Sequence, residues 1–521
     1  MNEKIKNVTN HRKYGMSGKS EYRIKNYKRN TISGIINKIV TLLLPFAART
    51  CLIYVLGIEY VGLNGLFTAI LQMLSLAELG FGTAIVYSMY KPVALDDTEK
   101  LSALLFFYRK AYRMVGTVIL GIGLCLMFFI DGLVNGGYPD DVNIYLLYLI
   151  YLINTVASYF LYAYRTAVLN AYQRGYICSW VSCICYFFLY VLQIFVLLAF
   201  KSYYFYICLT PVVTIAINLI NGYISKKLYP EIKCAGSLDK AEKRDIYHSV
   251  ISLMWHKIGN TLIYSFDSIV ISSFLGLTAL GRYNNYYYIY NAVAGFFSTF
   301  YFGVTAGIGN SLLVEKEGKV RDDFFTFTFL NMFLAGISAC IMLCMYQDFV
   351  FLWLGSGDML PRSTVFLMVS YFYIWHSRRI IHTFKDAAGL WNEDKFRPIV
   401  EGIINLILNM ILVGRIGLNG VVISTIISMV IIGMPWETKV FVKDYCGIKM
   451  SEYWLVIGKF YSVFLILTSA IYFMMEFVTV VSTVTLIEKL LFCILLTILL
   501  FGLIYMKNEN IKKIVRYIKK Y

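Results

Sequence analysis

Charged side chains are scarce in this sequence: they make up 15% of its 521 residues, while 59% are hydrophobic. A water-soluble chain of this size needs far more polar residues to cover its surface, so a soluble globular fold is excluded. In a bilayer only helices and closed barrels satisfy their own backbone hydrogen bonds. The apolar runs are about 20 residues long, which is helix length, where barrel strands would be about half that. Other things are missing too. No small-residue cleavage site follows the polar, basic stretch from Met1 to Asn30, so no cleavable signal peptide is expected. No glycine-rich phosphate loop is present, so ATP is not expected as the direct driver. The 11 cysteines include no CxxC pair and no His/Cys ligand set. Cys125, Cys183, Cys185, Cys340, Cys344 and Cys493 lie inside apolar runs as small packing residues, and neither a metal site nor a cofactor is expected.

What is abundant is positive charge, +17 net. It sits beside the apolar segments, as the positive-inside rule requires, and not in a nucleic-acid-binding patch. About 14 transmembrane helices are expected, near 32–56, 65–89, 114–133, 142–165, 176–200, 203–225, 252–275, 283–311, 324–353, 363–389, 397–414, 417–441, 453–476 and 484–506. With the ends and every second loop in the cytoplasm, that side holds the basic runs Lys4 to Arg29, Lys226 to Arg244 and Lys507 to Lys520. The opposite loops hold only Lys201, Arg282, Arg362, Arg415 and Lys489. Both termini are therefore expected in the cytoplasm of a multi-pass membrane protein. The expected organisation is a basic segment 1–31, a six-helix bundle 32–225, a linker 226–251, a second six-helix bundle 252–441, two additional helices in 442–506 and a basic tail 507–521. No loop is long enough for an external catalytic domain.

The two halves echo each other. Ser33 to Ile39 resembles Ser252 to Ile258, and at the same spacing Leu56-Gly57 matches Leu275-Gly276 and Gly62 matches Gly281. Repeats with a site between them are a mark of secondary transporters.

Ionisable groups inside spans are costly and mark interior sites. Span one carries Lys38 and Arg49, about three turns apart on one face with Thr41 and Pro45 between them. Span seven carries His256, Lys257, Asn260 and Asp267, and span ten carries Tyr371, Trp375, Arg378, Arg379, His382 and Lys385. Span four carries Arg165, and span two carries Glu78, which needs a partner from another span. Lys38 and Arg165, near helix ends, also suit snorkelling to lipid headgroups, and Asp267 also suits neutralising a neighbouring cation. Glu401 is explained by its place at a helix start. The balance is cationic, which suits an anionic, phosphate-bearing substrate. The expected substrate-binding set is Lys38, Arg49, Arg165, His256, Lys257, Asn260, Arg378 and Arg379, with Glu78 and Asp267 as coupling residues.

Several stretches carry a family resemblance. They are Leu56 to Phe67, Ser75 to Ala84, Phe266-Asp267 on through Gly276 to Tyr283, and Pro398 to Leu406 followed by Gly417 to Ser428. In order and spacing, over about residues 30–440, they resemble the Wzx-type polysaccharide flippases of the multidrug/oligosaccharidyl-lipid/polysaccharide flippase superfamily. The resemblance implies two six-helix bundles in a V around a central cavity plus two C-terminal helices. It implies transport of an undecaprenyl-diphosphate-linked oligosaccharide from the inner to the outer leaflet of a bacterial inner membrane by alternating access. The driver is left open among a proton gradient, a sodium gradient and the membrane potential. The implied partners are that lipid-linked oligosaccharide, membrane lipids, and a polysaccharide polymerase and glycosyltransferases, with no nucleic acid. A lipid II flippase, a multidrug exporter of the same superfamily and a membrane polysaccharide polymerase are the alternatives. The polymerase would need a large external loop, and the multidrug exporter a net acidic cavity.

Overall fold

The computed structural model describes residues 16–511 and residue 513, apart from 79, 315–316 and 391–392; at some positions, among them 255–260, only the backbone is described. The N-terminal segment up to residue 15 and the end of the basic tail lie outside this range. The described residues are almost wholly helical and contain no strand.

Helix α1 (Met16–Val55) contains Pro45 and stops before Gly57, whose φ of 117° an L side chain rarely adopts. Helix α2 (Ile58–Leu74) runs into a 3-10 turn at Ser75–Glu78. Gly80, at φ 111°, then redirects the chain into α3 (Phe81–Ala94). The second expected span is thus broken in its middle, because a left-handed glycine cannot continue a right-handed helix. Asp97 caps α4 (Thr98–Leu126) by accepting from the Lys100 backbone NH, and Asn143 caps α5 (Ile144–Phe160) in the same manner. The chain then bends by 44° into the turn Tyr162–Arg165 and the short α6 (Thr166–Ala171). Helices α7 (Gly175–Phe200) and α8 (Tyr203–Leu228) complete the first half.

Helix α9 (Lys240–Val314) is continuous except at Gly276, where φ 85° and ψ 176° break it. The seventh and eighth expected spans are its two arms. Then come α10 (Glu317–Leu354), α11 (Arg362–Ala387), α12 (Arg397–Ile416) and α13 (Leu418–Ser428). Two wide π-helical stretches, Met429–Gly433 and Thr438–Tyr445, flank the single turn α14 (Met434–Glu437). Helices α15 (Met450–Glu476) and α16 (Thr483–Tyr505) end the fold, the latter with a Ser482/Thr485 capping box.

Among the described residues ten helices are long and apolar enough to cross a membrane, or up to 11 if a bent pair is one span. The expected count of 14 is therefore not confirmed, although helical segments lie at every expected place. Helix α2 is shorter than a span, α11 carries many charges, and the arms of α9 count as one helix.

The chain forms two compact units, one of Met1–Tyr60, Leu74–Asp131 and Asp140–Met254, the other of Val61–Met73, Gly132–Pro139 and Trp255–Tyr521. In the first, α1 packs on α7 and α5 on α8. In the second, α10 packs on α11, α15 and α16, and α12 on α13. The second unit has an aromatic core in which Phe324, Phe384, Phe441 and Tyr453 are all buried.

Candidate functional site

The second unit contains a cavity of about 170 Å3. One wall is a column of aromatic rings. Tyr283, Tyr287 and Tyr290 recur at helical spacing on α9 and stack, with Tyr287 and Tyr290 5.1 Å apart and nearly parallel. Tyr264 stacks on Tyr287 at 4.9 Å, and Tyr371 of α11 extends the column from Tyr290 at 5.4 Å towards Trp375. The cavity is also lined by Asp267, Asn291, Glu401 and Thr425.

Asp267 is 4% exposed. It accepts hydrogen bonds from Asn409 Nδ2 at 2.6 Å and Thr425 Oγ1 at 3.1 Å. Asn405 donates to the same Thr425 hydroxyl at 3.0 Å and its carbonyl takes the second Asn409 proton at 3.3 Å. The Asn409 carbonyl oxygen is buried with no hydrogen-bond partner. Helices α9, α12 and α13 thus bring together an oxygen-rich set around one carboxylate. Among the described residues no cation pairs with Asp267. Oxygen-only sets hold protons or hard cations. Among the described residues no group of three His, Cys, Asp or Glu side chains converges on a point.

Among the described residues no cation lines this cavity, against the cationic interior that the sequence suggests. Arg378 explains part of the difference. It is 3% exposed, and its guanidinium reaches Glu401 at 2.6 Å and Glu437 at 3.0 Å. Arg397 reaches the same two carboxylates, at 2.7 and 3.0 Å, and Asp394 at 3.2 Å. Lys385 pairs with Asp394 at 2.7 Å. These three cations and three carboxylates neutralise one another inside the unit, so Arg378 is spent on packing α11 against α12 and α14. Glu401, read from sequence as a helix-start residue, is a partner in that network. Arg379 lies over the Tyr301 ring at 5.7 Å. His382 meets Asp386 at 3.1 Å.

The first unit holds the other candidates. Glu78, in the turn between α2 and α3, accepts from the Tyr112 hydroxyl at 2.5 Å and from the Tyr159 hydroxyl. Its partners do come from other spans, and they are phenols. Lys38 is exposed and Arg49 half-buried on α1, with the Arg49 charge acting on the hydroxyls of Tyr203 and Tyr206. Arg165 is 6% exposed and its Nε has no hydrogen-bond partner. His256, Lys257 and Asn260 sit on the helical backbone of α9, but their side chains lie outside the described residues.

Sequence reasoning missed Asn405, Asn409 and Thr425 around Asp267, and Glu437, Asp394 and Arg397 around Arg378. The signal for the first was present: Asn405 and Asn409 share a face of α12 at helical spacing, and an amide pair in an apolar helix needs a polar partner. Glu437 carries no local signal, since its partners are remote in sequence.

A family model described as polysaccharide biosynthesis protein matches residues 27–306. Solved structures share the fold. The lipid II flippase MurJ in an inward closed conformation gives a TM-score of 0.62 at 15% identity, over 91% of this chain and 98% of that one. An inward-facing multidrug resistance MATE family transporter of the MOP superfamily gives 0.58 at 12% identity, over 78% and 96%. A MOP superfamily transporter from Pyrococcus furiosus, described by the reversed polarity of its binding pocket, gives 0.54 at 11% identity, over 81% and 96%. No curated protein matches the chain.

Proposed function

The chain belongs to the polysaccharide biosynthesis protein family, and we propose that it is a flippase for undecaprenyl-diphosphate-linked oligosaccharide repeat units. It moves them across a bacterial cytoplasmic membrane by alternating access, for the assembly of capsule, exopolysaccharide or O-antigen, with both termini in the cytoplasm. It acts as a transporter and not as an enzyme. It works beside the glycosyltransferases that build the repeat unit and the polymerase that consumes it.

The observation that adds to family membership is Asp267, an enclosed carboxylate beside a cavity in which, among the described residues, no cation balances it. Glu401 is already neutralised by Arg378 and Arg397, and the acidity that remains is the feature that favours the second reading, a multidrug exporter of the same fold. A lone buried charge is expensive. A proton or a sodium ion removes that cost, so its arrival favours whichever packing of α9, α12 and α13 holds it best. A ligand shifts a conformational equilibrium only through such differential binding. Asp267 therefore couples an ion gradient to the change of access, and Glu78, held by Tyr112 and Tyr159, is the matching candidate in the first unit. The tyrosine and tryptophan rings of the cavity have the flat apolar faces and hydroxyl edges that suit sugar rings.

Deleting the gene tests the function. Lipid-linked repeat units should accumulate on the cytoplasmic side and surface polysaccharide should fall. Normal levels of both, in a strain with no second flippase, overturn the proposal. Asp267→Asn, expressed to the same level, should restore neither. The amide still offers an oxygen to Asn409, so the fold is retained while the titratable charge is lost. Full restoration by this variant removes Asp267 from coupling.

A further inference from the structure

Three arginines of the first unit lie on two elements that pack together, α4 and the turn before α6. Arg109 and Arg113 lie one turn apart on α4, on the same face. The turn Tyr162–Arg165 packs against α4 and delivers Arg165, which is 6% exposed and whose Nε is enclosed and donates to nothing. Ser225 of α8 holds that turn by donating its hydroxyl to the Arg165 carbonyl at 3.3 Å. The linker after α8 folds back over the start of α4. The Lys233 NH donates to Ser102 Oγ at 3.0 Å, and a Cβ on Gly236 would stand 3.3 Å from the Ala103 methyl. This places half-buried Cys234 where the charges of Arg109, Arg165 and Arg113 all act on its thiol. Burial pushes the thiol pKa up, and the three arginines pull it down. Among the described residues no carboxylate pairs with any of the three.

Basic residues near a membrane surface are ordinary and usually reach out to water or headgroups. Arg165 does not: it is buried, and a buried guanidinium nitrogen with no acceptor is costly. Exposed lysines would make only a diffuse positive field. Three guanidinium groups, one of them fixed by packing, offer several parallel N–H donors, and the oxygens of a phosphate match them.

We propose that Arg109, Arg113 and Arg165 form a phosphate-binding socket in the first unit, with Cys234 at its rim, that takes a phosphate ester or diphosphate. The inference rests on the flippase reading for its physiological ligand, the diphosphate of the lipid-linked substrate. A phospholipid headgroup phosphate is the other source of the same chemistry.

Cys234 supplies the probe. The full-length purified protein is alkylated with anionic iodoacetate or neutral iodoacetamide, and modification of each cysteine is read by peptide mass spectrometry. The iodoacetate-to-iodoacetamide ratio should be several-fold higher at Cys234 than at exposed Cys125 and Cys208. Inorganic pyrophosphate should slow modification of Cys234 and leave the other two unchanged. Arg113→Gln and Arg109→Gln should each lower the ratio and weaken the protection; Arg113 is exposed, so its variant reports on the socket without a folding risk. Protection by pyrophosphate in detergent assigns the socket to a diphosphate. Protection only in phosphatidylglycerol vesicles, and not in phosphatidylcholine vesicles, whose phosphate is offset by a quaternary ammonium, assigns it to the phosphate of an anionic lipid headgroup. No charge preference together with no protection overturns the socket, as does equal protection in the arginine variants. None of these failures touches the flippase reading, which stands or falls on the accumulation of lipid-linked units.

Discussion

Arg378 shows what a single buried residue demands. Its guanidinium lies between Glu401 on α12 and Glu437 on α14, and Arg397 bridges the same pair from the other side. Glu437 is wholly enclosed, so neutralising it leaves two buried cations short of an anion. Breaking such a pair costs about 3–5 kcal/mol. Glu437→Gln should therefore lower the apparent melting temperature of the detergent-purified protein sharply. Glu452→Gln, which removes the exposed partner of Arg321, should cost under about 1 kcal/mol and move the melt little. Gly433 is part of the same device. A Cβ there would approach Arg378 Nη1 to 2.5 Å and Glu401 Oε2 to 2.8 Å, so Gly433→Ala should destabilise by about 1–3 kcal/mol in the same assay. Two cations of this network, Arg378 and Lys385, were legible, because charge in an apolar run stands out, while Arg397, at a helix start, was not. Their partners were not, since Arg378 meets Glu437 across 59 residues and only the packing of helices brings them together. That is why a residue readable as an anion ligand is instead a closed ion pair.

Elements are better specified than side-chain partners, and glycine sets where they break. Gly57 and Gly276 hold corresponding places in the two halves of the sequence, and both have positive φ, at 117° and 85°. The repeated Leu-Gly pair is thus a repeated backbone device that ends one helical arm and starts the next. The two positions differ in what surrounds them. A Cβ on Gly276 would come within 2.8 Å of the Asn135 carbonyl oxygen, whereas nothing lies within 4 Å of one on Gly57. Gly276→Ala should therefore cost more than Gly57→Ala, with backbone strain of about 1–3 kcal/mol at each and the carbonyl clash added only at the first. Thermal melts of the two variants check the order. The same conformational rule explains the missed break in the second expected span. Hydropathy runs on through Leu76 and Phe81, so an apolar window sees one helix, while Gly80 at φ 111° makes two. The adjacent Gly80-Phe-Gly82 was the available signal.

At the scale of the molecule, helical membrane architecture follows from composition alone, because an apolar chain in lipid has few other ways to satisfy its backbone. The number of crossings does not follow, and it matters through its parity. Fourteen spans, or ten, return the chain to the side it started from; the count of 11, with the bent helix of Ile144–Phe160 and Tyr162–Ala171 as one span, leaves the ends on opposite sides. Charge argues for the even case, since Lys4 to Arg29, which precedes the bent helix, Lys226 to Arg244, which follows it, and the tail from Lys507 onward are all basic and all should stay inside. Reporter fusions decide it. Green fluorescent protein joined after Tyr521 should fluoresce, because it matures on the cytoplasmic side. Alkaline phosphatase inserted at Gly136–Gly137, a left-handed turn between α4 and α5, should be active in the fourteen-span case, where the broken α2–α3 segment makes one crossing, because it works only outside. An active phosphatase at the C-terminus would instead require an odd count. It would put the basic tail on the wrong side and undo the inward placement of both termini on which the proposed direction of transport depends.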